Sequence, residues 1–172
     1  MNTTTSHSSL KLQSGFSLIE VLVALIILAI GLLGLASLQM TSLKFNTDAY
    51  LRTQATTLAY DVIDRMRINN AGVLTGNYTV TLSSDANAKL SAYVACKGTT
   101  CNCYSGGNCS PANIALFDLG SWYERLDAAL PGASENRATI SLGANNTATI
   151  TINWRERDLP QFQTWVVQLW PF

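Results

Sequence analysis

Residues 11–38 read KLQSGFSLIEVLVALIILAIGLLGLASL, and the order of polar and apolar groups in this stretch decides the architecture. From Val21 to Leu38 only Gly31, Gly34 and Ser37 interrupt a run of apolar side chains, and after Glu20 no ionisable residue occurs until Lys44. A helix from Phe16 to Leu38 would span about 34 Å at ~1.5 Å per residue, enough to cross a hydrocarbon core of roughly 30 Å. A single small domain can rarely surround such a helix on every side, which favours a membrane segment over a buried core helix. The preceding residues, Met1 to Gly15, are rich in Ser and Thr, carry one basic residue at Lys11 and contain no apolar core. A secretory signal peptide has the opposite order, because its apolar region precedes the cleavage point and is removed with it. Here the apolar part would be retained.

Glu20 stands at the edge of that run. A carboxylate near the bilayer centre costs roughly 2.5–3.5 kcal/mol, so such a residue needs a partner. Cleavage after Gly15 would supply one: Phe16 would become the first residue with a cationic amine, and Glu20 would be the fifth, one helical turn away. The carboxylate would also lie near the positive end of the helix dipole. The junction Ser14-Gly15-Phe16-Ser17-Leu18-Ile19-Glu20 resembles the cleavage and methylation signal of type IV prepilins, the class III leader. The resemblance implies cleavage after Gly15 by prepilin peptidase and N-methylation of Phe16. In an assembled filament it also implies pairing of the Glu20 carboxylate with the Phe16 amine of a neighbouring subunit. The fold it implies is α+β, the type IV pilin fold, with a long N-terminal helix packed on a small antiparallel sheet.

Working outward, the helix pattern continues past the apolar run and becomes amphipathic. Ala55, Leu58, Ala59, Val62, Ile63 and Met66 recur at intervals of three and four, opposite Arg52, Asp61, Asp64, Arg65 and Arg67. Such a stripe docks on a sheet, and Asn69-Asn70-Ala71-Gly72 offers a stop after Ile68. No proline interrupts Phe16 to Ile68, leaving Gly31 and Gly34 as the expected points of local unwinding. Beyond Gly72 the period changes to two. Ala138, Ile140 and Leu142 alternate with Arg137, Thr139 and Ser141. After a turn at 143–146, Ala148, Ile150, Ile152 and Trp154 alternate with polar residues to complete a hairpin. A third strand is expected over Phe162–Trp170 and a weaker one around Tyr78–Leu82. A short helix is expected to start at Ser121-Trp122-Tyr123-Glu124 and to end before Pro131-Gly132. Trp122, Trp154, Trp165 and Trp170 are read as core anchors.

Cys96, Cys101, Cys103 and Cys109 fall in a loop rich in Gly, Ser, Asn and Thr, and an even number in so small a segment points to disulfides. A Cys101–Cys103 bridge is disfavoured on geometry. That leaves Cys96–Cys101 with Cys103–Cys109, or Cys96–Cys103 with Cys101–Cys109. Zinc is disfavoured because no histidine lies nearby and paired C-x-x-C knuckles are missing. The only histidine, His7, lies in the segment expected to be removed, so the mature chain would lack the commonest general base. No catalytic residue, metal or cofactor is expected. The run Trp154-Arg155-Glu156-Arg157-Asp158 reads as a solvated strand edge. A formal net charge of zero, with Lys89, Lys97, Arg125 and Arg137 scattered among acids, gives no basic stripe for nucleic acid. Composition, 48% hydrophobic and 13% charged over 172 residues, suits one globular unit with one apolar segment.

Later stretches narrow the resemblance. Leu58 to Asn70, Asp118-Leu119-Gly120-Ser121-Trp122, Leu126 to Gly132, and Ile150 to Arg157 are similar to the PilV family of minor pilins, also called pilus modification proteins. That implies a low-copy subunit near the pilus tip that primes assembly and supports adhesion and twitching motility. Its implied partners are the prepilin peptidase, other minor pilins, the major pilin, a tip adhesin and the inner-membrane assembly platform. The expected organisation is a leader over 1–15, a membrane and assembly half-helix over 16–40, an amphipathic half over 41–70, and a periplasmic domain over 71–172 with its cysteine loop at 96–109. The subunit would cross the inner membrane once before entering the pilus. A minor pseudopilin of type II secretion shares the leader and helix and is the alternative.

Overall fold

The computed structural model describes residues 15, 17–97, 109–143, 147–156 and 162–169. The elements are α1 (Leu18–Ile68), α2 (Asn70–Leu74), α3 (Ser83–Cys96), α4 (Pro111–Ala129), β1 (Thr139–Leu142), β2 (Ala148–Arg155) and β3 (Phe162–Leu169). The three strands form an antiparallel sheet in the order β1-β2-β3. The class is α+β, with a long N-terminal helix and a small antiparallel sheet, as the sequence implies. The chain divides between Phe45 and Asn46 into two compact units.

In the first unit the large apolar side chains from Leu18 to Phe45 are exposed, Leu33 and Met40 at 72% and 76% among them. The helix runs through Gly31 and Gly34 without a break, contrary to the unwinding expected there. A lone glycine costs a helix only about 0.5–1 kcal/mol relative to alanine. The strong helix formers on either side, chiefly leucine, carry the backbone through.

The second unit is built on the stripe read from the sequence. Leu51, Ala55, Leu58, Ala59, Val62, Ile63 and Met66 are all buried. They share one core with Trp122, Tyr123 and Leu126 of α4 and with Ala148, Ile150, Ile152 and Trp154 of β2. Register is fixed by the alternation expected: Ile140 faces Ile150 across β1 and β2, and Ile150 faces Val167 across β2 and β3.

Several sequence expectations are corrected here. Helix α4 begins at Pro111, ten residues before the expected start, because Ser110 caps it by accepting the Asn113 N–H (3.3 Å) and Pro111 sits in its first turn. Ser121 lies inside the helix, and its Oγ donates to the Asp118 carbonyl instead of capping. Helix α3 was not anticipated, since only Ala86 and Tyr93 are buried on it and no apolar stripe results. Its start is marked by Asp85, whose carboxylate accepts the Leu82 N–H at 3.2 Å. The expected strand at Tyr78–Leu82 reduces to one bridge between Val80 and Ile140. The stop after Ile68 is correct, but Asn69 at once caps α2. Arg137, expected on the polar face, is buried, because Asp127 (2.6 Å) and Asn87 (2.8 Å) receive its guanidinium.

Candidate functional site

Helix α1 opens in a way that follows from its first residues. The Ser17 carbonyl accepts the N–H groups of Glu20 (3.0 Å) and Val21 (3.3 Å), so Ser17 is the last residue before the helix and Glu20 its third. The Glu20 carboxylate is exposed and lies in the first turn, where unpaired N–H groups give the helix its positive end. Gly15 is exposed as well. Phe16 lies outside the described residues, and with it the expected pairing of its amine.

Behind Glu20, α1 contains a window long and apolar enough to cross a membrane, and none of that window is buried. An apolar surface of this extent, exposed around the whole helix, is stable only in lipid or against other apolar helices. The combination is therefore one acidic group at the charged end of a helix whose first half exposes its large apolar side chains. Such an arrangement suits insertion into lipid and association with other apolar helices.

The prokaryotic N-terminal methylation motif matches residues 10–36, and the family described as Type IV pilin Tt1218 matches residues 37–120, so the two matches run without a gap from 10 to 120. Over residues 10–120 the chain is similar to type IV pilins. No curated protein and no solved structure matches it. That similarity and the methylation motif imply processing by prepilin peptidase and assembly with other pilins, and the matched family is structural.

In its globular unit, the pilin ties α1 to α4 through a polar cluster. The Arg65 guanidinium donates to Asp61 (3.2 Å) and Asp118 (3.1 Å), and Arg125 also donates to Asp61. Asp118 also receives the Tyr78 hydroxyl, while the Asn69 amide donates to the Tyr78 oxygen (3.2 Å) and the Pro111 carbonyl (2.8 Å). The Trp122 indole N–H donates to the Leu58 carbonyl at 2.8 Å. Burial, reinforced by the bond to Asp118, pushes the Tyr78 hydroxyl well above the ordinary tyrosine range. For Arg65, desolvation opposes the charge, but Asp61 and Asp118 outweigh it and hold the guanidinium above its ordinary value. An Arg, two Asp and a Tyr could suggest acid–base chemistry, but each is occupied by another member of the cluster, as in a structural clamp. Sequence reading placed Arg65 and Asp61 on a polar helix face, Tyr78 at the start of a weak strand and Asp118 in a stretch similar to PilV, and did not bring them together. The separation of 53 residues between Arg65 and Asp118 explains why.

Cys96 ends α3 and Cys109 precedes α4, and both are disulfide-bonded. Cys101 and Cys103 lie outside the described residues. Helices α3 and α4 pack closely: Tyr93 meets Phe117 edge to face at 5.5 Å, and Lys97 pairs with Glu124 at 2.7 Å. Of the four tryptophans, Trp122 and Trp154 are buried anchors as expected; Trp170 and the Trp165 side chain lie outside the described residues. The strand edge after Trp154 departs from the solvated edge expected. Arg155 is exposed and paired with Glu135, but Glu156 is buried, because it continues the core-facing alternation of Ile150, Ile152 and Trp154.

Proposed function

We propose that this pilin is a minor subunit of a type IV pilus, incorporated at low copy near the tip, where it primes assembly and supports adhesion and twitching motility. The observation that carries the reading is the exposed apolar half of α1 directly behind Gly15-Phe16 and Glu20. Prepilin peptidase cuts after Gly15 and methylates Phe16, and the Glu20 carboxylate takes the Phe16 amine of a neighbour as its partner. Before assembly the apolar half holds the subunit in the inner membrane with residues 71–172 in the periplasm. In the filament the same surface packs on other helices, so its burial is transferred rather than lost. The later residues that resemble PilV support the minor-pilin assignment, with the major pilin, other minor pilins, the inner-membrane assembly platform and a tip adhesin as partners. In the oxidising periplasm two disulfides staple the 96–109 segment, either Cys96–Cys101 with Cys103–Cys109 or Cys96–Cys103 with Cys101–Cys109.

Mass spectrometry of sheared surface filaments and of membranes, from cells with and without prepilin peptidase, tests this. Peptidase-dependent N-methyl-Phe16 in the filament fraction is the expected result. The same terminus confined to membranes would point to a type II secretion pseudopilin, and an uncut Met1 in both fractions would sink the prepilin reading.

A further inference from the structure

The buried polar side chains of the globular unit are paired almost throughout. Asn69, Asp118, Arg137 and Asn153 each hold a side-chain hydrogen bond, with Tyr78, Arg65, Asp127 and Thr164 respectively. The Trp122 indole N–H is spent on the Leu58 carbonyl. Two atoms differ. Trp154 Nε1 and Glu156 Oε1 belong to residues only 1% and 7% exposed, and neither has a hydrogen-bond partner among the described residues. The two are neighbours. Residues 154 and 156 continue the core-facing alternation of β2, with Cα atoms about 6.6 Å apart, and the exposed Arg155 between them is turned the other way. The Arg155 N–H donates to the Pro131 carbonyl at 2.7 Å, which fixes the backbone here against the turn after α4. Gln163 of β3 stands opposite Trp154, on the same face of the sheet and half-buried.

The chemistry of the pair defines what fits between them. An indole N–H only donates and a carboxylate oxygen accepts, and leaving either unpaired in an interior is costly. A cation would satisfy the carboxylate but repel the indole proton. An anion would do the reverse, and an apolar group would serve neither. What satisfies both is a molecule that accepts one hydrogen bond and donates another. Since neither atom is open to bulk solvent, that molecule is also small. We infer that Trp154 and Glu156 form a binding site for one ordered interior water molecule, which accepts the indole N–H and donates to Glu156 Oε1. Gln163, on the same face, offers an acceptor for its second proton, which gives the three bonds usual for an interior water. The site would tie the end of β2 to the core just where its pairing with β3 stops, at Arg155.

The test is NMR of the full chain in detergent micelles with nitrogen-labelled tryptophan, measuring cross-relaxation between water and each indole N–H. The Trp154 proton, assigned by its loss in Trp154→Phe, should show a cross-peak whose sign marks a long-lived bound water. The Trp122 proton is the built-in control: bonded to the Leu58 carbonyl, it should show none. Glu156→Met keeps the side-chain length and removes the acceptor, and should weaken the Trp154 cross-peak at least tenfold. An unchanged Trp122 signal reports that this variant is folded. Glu156→Gln, which keeps an acceptor oxygen, should retain the cross-peak. The measurement on the unmodified chain decides the matter without any variant. A Trp154 indole with no water cross-peak, or one bonded directly to the Glu156 carboxylate or the Gln163 amide, would overturn the inference. A cross-peak that survives Glu156→Met at full strength would overturn it too, because the water would then be held by something other than Glu156.

Discussion

Gly120 is the position at which the packing of α3 on α4 can be tested most sharply. A Cβ built there would stand 2.0 Å from Cγ of Tyr93 and 2.4 Å from its Cβ. A ring could rotate away from a new methyl, but the Tyr93 Cβ is fixed to the backbone of α3, so relief requires the two helices to separate. Overpacking of this kind costs typically 1–3 kcal/mol. Against it stands a gain of about 1 kcal/mol, because alanine is the better helix former in the interior of α4. The strain should win, since separation also loosens the Tyr93–Phe117 contact and the pairing of Lys97 with Glu124. We expect Gly120→Ala to lower stability by about 1–2 kcal/mol net, which for a chain of this length is a fall of roughly 2–8 °C in unfolding temperature. The assay is thermal and urea unfolding of the full chain in detergent micelles, followed by tryptophan fluorescence. A double-mutant cycle fixes the cause: with Tyr93→Gly in place the Cβ and the ring are both gone, and the penalty of Gly120→Ala should vanish. A Gly120→Ala chain as stable as the parent, or a penalty unchanged by Tyr93→Gly, would refute the close-approach argument.

Three further outcomes are expected. Asp118→Ala leaves the Arg65 guanidinium with Asp61 alone and the Tyr78 hydroxyl without its acceptor, and should cost about 2–4 kcal/mol; Asp118→Asn, which keeps an acceptor, should cost less, both read by urea unfolding. Burial raises the Tyr78 and Tyr123 hydroxyls above their ordinary value, so the neutral forms contribute stability that is complete below an unfolded tyrosine pKa of about 10 and is lost as pH rises past it. Unfolding temperature should therefore drop above about pH 10, and the drop should flatten in a Tyr78→Phe, Tyr123→Phe chain; an unchanged slope would contradict the assignment. Glu20→Ala should leave membrane level and unfolding temperature unaltered but reduce the amount in sheared filaments at least tenfold, while normal filament levels would mean that the carboxylate pairs with nothing.

How much of this was legible in the sequence depended on the range of the interactions concerned. The apolar run, the buried stripe from Leu51 to Met66 and the β1–β2 hairpin were readable, because each is a periodic pattern within one element and needs no knowledge of its partner. The Glu20 site was readable because a lone carboxylate at the edge of eighteen nearly uninterrupted apolar residues is expensive wherever the chain folds. Helix α3 was not, since it buries two side chains, and its stability is borrowed from α4 through Tyr93 and Gly120. The start of α4 was missed for a different reason: two cap-like signals compete, Ser110-Pro111 and Ser121 to Glu124, and the first lies beside cysteine-rich sequence that reads as loop. The clamp joining Arg65, Asp118 and Tyr78 was hidden by distance along the chain, with charged residues that look solvated in isolation becoming partners only once α4 lies on α1.

The same contrast applies to the functional surface. A carboxylate beside a long apolar run announces itself, and for Glu20 and the exposed apolar half of α1 that juxtaposition, legible without any knowledge of tertiary contacts, is the functional signal.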